Sequence, residues 1–335
     1  MAGVSTATVS NVLNARRSVA PELAARVQAV VAKIGYITDL GASRLRSRKS
    51  AVAGVLVPDI GNPLFGEFVA VLEGAARRDG YDLMIVSSGD DPAQEAARLR
   101  ALLTWRPAGV IVIPCRNDIA GCEVAVAAGV PVVVADRIPM NSTTDVVGVD
   151  NHEAAAEVVR HLIDSGRRHI LVAAASLAIS NVQERCAGIA AAASRHAGVT
   201  TEILAVGFTL ADSRDCLAER LAASSLPDAL FTLNNVATLG ALGALAATGL
   251  SVPHDIALAG FDDEEWMRVV SPPLTAVRQP VEALGLAAWA RLMARIGGDA
   301  TPPHEVRLDC TLEIRESSAP AMRSVEPAAI RRWAQ

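Results

Sequence analysis

The stretch Ala53-Gly54-Val55-Leu56-Val57, closed by Pro58-Asp59, is apolar at every position. A strand with one wet face alternates polar and apolar residues, whereas a strand covered on both faces does not. The same signature returns at Leu83–Val86, Val110–Ile113 and Val132–Ala135. Between these runs lie amphipathic stretches at about Phe65–Arg78, Ala93–Leu103 and Ile119–Ala128, the first stopped by Gly80. Strand and helix in strict alternation predict an open α/β sheet with parallel strands.

Beyond Asp150 a second series follows. Helices are expected at Glu153–Ser165, Arg185–Ala197, Asp212–Ala223 and Val236–Thr248, with strands at Ile170–Ala174, Ile203–Ala205, Ala229–Thr232 and Ile256–Gly260. A further helix at Ala283–Arg295 and a strand at Glu305–Leu312 complete the pattern. Two α/β lobes imply a cleft between them, and ligands of parallel sheets sit beyond the carboxyl ends of the strands.

The 335 residues are 51% hydrophobic and 20% charged, the balance of an ordinary globular chain of two to three domains. No apolar run reaches the ~18 residues that span a bilayer, and the start lacks an export signal, so the cytoplasm is the expected location. Five cysteines without a CxxC pair suggest free thiols. The six histidines have no metal-site spacing, and no cofactor is expected.

Charge is unevenly divided. Residues 1–50 hold eight Lys/Arg against two acidic residues, a net +6, while the remainder holds 23 basic and 34 acidic, a net −11. A basic head on an acidic body predicts that only the head meets a polyanion. Within it, Val4-Ser-Thr-Ala-Thr-Val-Ser-Asn-Val-Leu-Asn14 has Ser5 as an N-cap, with Val4, Val9, Val12 and Leu13 able to point inward. Thr6, Ala7 and Asn11 share the opposite face, where short side chains approach base edges and an amide pairs with adenine. A further helix begins at Pro21 and runs to Gly35, with Val27, Val30, Val31 and Ile34 expected inside.

These residues resemble the LacI/GalR family of transcriptional repressors in the stretches AGVSTATVSNVLN, VAKIGY and LGASRLRS. In the body the resemblance continues in order through Asn62-Pro-Leu-Phe65, Asp136-Arg137, Val149-Asp-Asn151, Arg185-Cys-Ala-Gly188, Gly260-Phe-Asp-Asp263 and Ser271–Pro280, covering about residues 2–318. It implies an all-α helix-turn-helix DNA-binding domain before a two-lobed, periplasmic-binding-protein-like body with doubly wound parallel sheets. The expected boundaries are 1–50 for the head and hinge, 51–318 for the body and 319–335 for a tail. Lobe 1 takes 51–149 and 280–299; lobe 2 takes 150–279 and 300–318.

The resemblance places Thr6, Ala7 and Asn11 at base-reading positions, Arg17 near the duplex, and Leu45 as a minor-groove wedge that kinks DNA. Before AGVS the family carries a complete helix, of which this chain has Met1-Ala2-Gly3. Either roughly ten further residues are encoded upstream or the head is truncated. Phe65 and Phe208, scarce aromatics in a chain only 3% aromatic, are candidate stacking faces for an effector. Asp136, Arg185, Asn234 and Asp262 are the candidate hydrogen-bonding groups, joined by Asn181. Alternatively Phe65 belongs to the core and Arg185 bridges Asp262 or Asp150. Asn234-Asn235 departs from the family's usual Asn-Asp, so a local hydrogen-bond partner has changed.

The implied function is that of a repressor on double-stranded operator DNA, a homodimer controlled by a small effector such as a sugar or sugar acid. A transporter's solute receptor shares the two-lobed body, and an effector-binding protein without competent DNA binding is the reading for a truncated head. An enzyme is not expected, since neither a G-x-G-x-x-G after the first strand nor a P-loop occurs.

Overall fold

The computed structural model describes residues 2–13, 19–35, 50–116, 120–139, 142–223 and 225–319. Its contacts divide the chain into residues 1–50 and 51–335, two compact units.

The head contains α1 (Thr6–Leu13) and α2 (Pro21–Ile34). Ser5 Oγ accepts a hydrogen bond from the Thr8 amide at 3.1 Å, capping an otherwise orphaned donor. Proline opens α2 where no amide is missed, and Gly35 closes it in the left-handed region at φ 60°. Val27 is fully buried, while Val9, Val12 and Leu13 are half-buried and Ile34 is 51% exposed. The expectation of an inward Ile34 is thus corrected: it falls in the last turn of α2, next to the Gly35 cap, and is exposed.

The body holds two six-stranded sheets. In the first, β1 (Val52–Val57), β2 (Asp82–Ser87), β3 (Val110–Val112), β4 (Val132–Ala135), β5 (Asp145–Val149) and β11 (Glu305–Leu308) lie in the order β11-β5-β4-β3-β1-β2, all parallel. The second contains β6 (His169–Ala174), β7 (Thr200–Ala205), β8 (Ala229–Thr232), β9 (Ala257–Phe261), β10 (Thr275–Arg278) and β12 (Thr311–Glu313), ordered β12-β10-β9-β8-β6-β7. Only β12 runs antiparallel to its neighbour.

Helices cover both faces of each sheet, which is why the central strands are largely apolar, whereas the edge strands β2, β7, β11 and β12 are partly exposed and carry polar residues. In lobe 1, α3 (Pro63–Arg78) and α10 (Val281–Ile296) bury Phe68, Leu72, Trp289 and Leu292 on one side. On the other, α4 (Pro92–Leu103) and α5 (Ala120–Ala127) cover Leu56, Val110 and Val112. Lobe 2 repeats the plan with α6 (Asn151–Asp164) and α7 (Ser180–Ala193) on one face, α8 (Leu210–Leu221) and α9 (Asn235–Thr248) on the other. Gly188 brings α6 and α7 together so closely that a Cβ there meets the His152 carbonyl oxygen at 2.0 Å.

Three features differ from expectation. β5 and β10 are strands, though their sequences read as a lobe boundary and a crossing segment. The expected strand Glu305–Leu312 is two strands: β11 pairs with β5 in lobe 1, and β12 pairs with β10 in lobe 2. Residues 300–318 therefore do not belong wholly to lobe 2, because Asp309-Cys310 carries the chain from one sheet to the other. Three crossings join the lobes, after β5, after β10 and after β11. Among the described residues no helix is long and apolar enough to cross a membrane.

Candidate functional site

The carboxyl ends of the strands face the interlobe cleft. At two equivalent places the chain leaves its strand through a left-handed aspartate. Asp136 follows β4 at φ 59° and Asp262 follows β9 at φ 70°. Non-glycine residues in this region are uncommon, and aspartate is among the few that enter it readily. Both side chains are buried, and burial raises both carboxyls above the usual aspartate range. Arg185 opposes that rise at both residues.

Arg185 belongs to α7 and is 3% exposed. Its guanidinium lies 3.5 Å from the ring centroid of Phe261, the last residue of β9. Nε donates to Asn151 Oδ1 at 2.8 Å, and Nη1 donates to the Leu233 carbonyl. Asn151 in turn donates from Nδ2 to Glu184 Oε2 at 3.0 Å, and Arg307 of β11 donates to the same oxygen at 2.8 Å. A chain of hydrogen bonds thus runs from the cleft arginine to the crossing strand of the opposite lobe. Arg185 forms no ion pair with Asp262 or Asp150, so the structural-bridge alternative does not hold among the described residues.

Asn181, at the start of α7, donates to Asp136 Oδ2 at 3.4 Å and so spans the cleft. Asn234 caps α9, its Oδ1 accepting from the Ala237 amide at 2.7 Å. Asp262 Oδ1 accepts from Gln279 Nε2 at 2.7 Å. Phe65 is buried in the lobe 1 core, with the Arg137 guanidinium 5.7 Å from its ring centroid. Phe208 is 41% exposed after β7 and lies 5.5 Å beneath Arg116 of lobe 1, a further contact between the lobes. The structure therefore gathers Asp136, Asn181, Arg185 and Asp262, while Phe65 and Phe208 face arginines.

A cavity of about 670 Å³ opens beside Asp262, lined by Pro63, Leu64 and Glu67 from lobe 1 and by Glu264, Trp266 and Gln279 from lobe 2, among others. Glu264 is pushed up to about 7 by burial first, then by Asp262, Glu67 and Asp263, with a side-chain hydrogen bond to Asn235 pulling the other way. Asn151, Gln279, Glu264 and Phe261 were not singled out from the sequence. Three of them lie in quoted motifs, and Phe261 carried the further signal of being one of only five phenylalanines.

In the head, Thr6 and Ala7 are exposed on α1 and Asn11 is half-exposed. Arg17 and Leu45 lie outside the described residues, as does the tail beyond residue 319.

Comparisons with known proteins agree across the chain. Residues 1–39 match the model of bacterial regulatory proteins of the lacI family, and residues 159–318 match a periplasmic binding protein-like domain. The HTH-type transcriptional regulator PtxS of Pseudomonas putida is 33% identical over 323 residues, covering 96% of this chain and 94% of that protein. The transcriptional regulator CelR in complex with cellobiose superposes with a TM-score of 0.73 at 26% identity, covering 94% of this chain and 97% of that one. The lac repressor dimer bound to operator and the anti-inducer ONPF gives 0.84 over 95% and 96%; at 24% identity this likeness speaks to fold. Head, body and a relative matched nearly end to end lead to one conclusion: the chain belongs to the lacI family of bacterial regulatory proteins and is an HTH-type transcriptional regulator.

Proposed function

We propose that a small polyhydroxylated effector binds between the lobes and changes how a homodimer of this chain holds double-stranded operator DNA. The observation that carries the reading is the convergence of Asp136 and Asn181 with Arg185 and Asp262, buried polar groups drawn from both lobes. A ligand bridging these groups favours one lobe arrangement over another, and that differential affinity is the coupling, typically ~1–3 kcal/mol and reciprocal between the two sites. The hydrogen-bonded series Arg185–Asn151–Glu184–Arg307 gives the cleft a physical route to a crossing strand.

For the head, Thr6, Ala7 and Asn11 are proposed to read bases, with Arg17 on the phosphates and Leu45 in the minor groove. The site of action is then the cytoplasm, where the DNA lies. A transporter's receptor would share the body alone, whereas the match at residues 1–39 is to regulators. No catalytic step is assigned to the cleft.

The test is a gel shift on the chain's own promoter DNA across a salt series, with and without candidate sugars. Sequence-specific retention that survives salt and changes with a sugar is expected. Binding that follows only the phosphate term, equal for every duplex and indifferent to ligand, overturns the reading.

A further inference from the structure

Resting on the cleft reading above, we propose that the effector is a polyol bearing a positively charged amine, seated where Asp262, Glu264, Glu67 and Gln279 converge, and that an anionic sugar acid is rejected.

The argument begins with how this body treats its carboxylates elsewhere. Asp145 has a fully buried side chain and is held by Arg291 and Arg295. Asp263, equally buried, receives Arg315, Arg278 and Arg268. By contrast, the buried Asp136 and Asp262, with the half-buried Glu264 and the exposed Glu67 beside the cavity, have no basic partner at ion-pair distance among the described residues. A buried carboxylate without a partner carries an unpaid desolvation cost, and a cation brought by a ligand removes it.

The unpartnered buried atoms point the same way. Gln279 is 5% exposed and lines the cavity; its nitrogen is committed to Asp262, leaving Oε1 without a donor. Asp136 Oδ1 and Asn235 Oδ1 are likewise buried and unpartnered. All three are acceptors, so the cleft asks for N–H and O–H groups. The nearby cations are already committed: Arg185 to Asn151, Leu233 and the Phe261 face, Arg137 to Asp90, and Arg268 and Arg278 to Asp263. An incoming carboxylate would face these acceptors and anions, and the two arginines in the cavity lining, Arg268 and Arg278, are already held by Asp263.

Binding of an amine should then depend on pH through Glu264. The groups facing it are Asp262, Asp263, Glu265 and Arg268 along its own segment, Glu67 from α3, Asn235 from α9, and Gln279 with Arg278 across the cavity. With Glu264 titrating at about 7, affinity for a cation rises up to about tenfold between pH 6 and pH 8. Affinity for an acid falls over the same range.

The experiment is calorimetry on the full chain with two matched series: glucose, glucuronate and 6-amino-6-deoxyglucose, and the corresponding galactose compounds. In at least one series the amine should bind about tenfold more tightly than the neutral sugar, with the acid weakest. Glu264→Gln, and separately the exposed Glu67→Gln, should narrow that preference, and the first should flatten its pH dependence. An acid that binds best, three equal affinities, no binding by any compound, or a preference untouched by both variants overturns the proposal. Gel shifts on operator DNA separate the two readings. If an acid releases or recruits the protein, the regulator reading stands and this inference falls. If an amine binds but leaves operator retention unchanged, the ligand class stands and the coupling falls.

Discussion

In lobe 1, β4 ends at Ala135 and the chain turns left-handed at Asp136; in lobe 2, β9 ends at Phe261 and turns at Asp262. The residue after each turn is tied down, Arg137 to Asp90 at 2.7 Å and Asp263 to Arg315 at 2.6 Å. The turning aspartates themselves have no basic partner at ion-pair distance among the described residues. The contrast separates two uses of the same chemistry. A paired carboxylate helps hold the lobe together, whereas a buried unpaired one carries a desolvation cost that a donor or cation from a ligand would offset.

The largest expected effect tests the paired class. Asp263→Ala strips one carboxylate from three arginines and is expected to cost about 3–5 kcal/mol in urea denaturation. A loss below about 1 kcal/mol would erase the distinction. Its pairing lowers the Asp263 carboxyl below the usual range, so this contribution is present above the ordinary aspartate value and is lost as pH falls through the lowered one.

Next comes the helix contact of each lobe. Gly188→Ala drives a methyl into the His152 carbonyl, and Gly285→Ala meets Val71 Cγ1 at 2.7 Å. Backbone cannot rotate away as a valine can, so the first should cost about 2–3 kcal/mol and the second clearly less. Equal melting temperatures for the two variants would contradict this.

For the unpaired class the sign reverses. Asp136→Asn should leave stability unchanged or raise it by up to about 1 kcal/mol at pH 7.5. Because burial raises the folded-state carboxyl, its penalty accumulates as pH climbs above the unfolded value and disappears below it. Thermal melts of variant and parent should therefore converge near pH 3. A loss of stability at neutral pH would place Asp136 with the structural carboxylates.

The smallest effects belong to pairs nearer water. Arg307→Met breaks the contact with Glu184 between the lobes and should cost about 1 kcal/mol. Arg214→Ala, removing the exposed partner of Asp215, should leave the urea midpoint unchanged.

Much of this architecture is legible in the sequence because burial on both faces leaves a simple mark: every residue of β3 and β4 is buried and apolar. β5 is hidden because Gly148 within it, and Asp145 and Asp150 at its two ends, suit a lobe boundary as well as a strand. β10 lies between prolines, and its sequence Thr-Ala-Val-Arg suits an extended crossing as well as a strand. The start of α7 was placed late, at Arg185 rather than Ser180, since Ile179 at its N-cap offers no side-chain hydrogen bond. At the site, Asp136, Arg185 and Asp262 stand in motifs visible in the sequence, but nothing local marks Arg185 as resting on Phe261, a residue far along the chain.

The sequence alone determined the alternation of strand and helix, the basic head and acidic body, and the aspartates that follow strands, since each depends on neighbours within a turn or a strand. Only the tertiary structure decided which carboxylates find an arginine. It also decided which sheet receives each half of residues 305–312 and which acceptors remain without a donor. The carboxylate–arginine pairs join residues up to 150 apart, as Asp145 and Arg295 are. Whether a partner arrives is set by packing the lobes together, a quantity no local pattern carries.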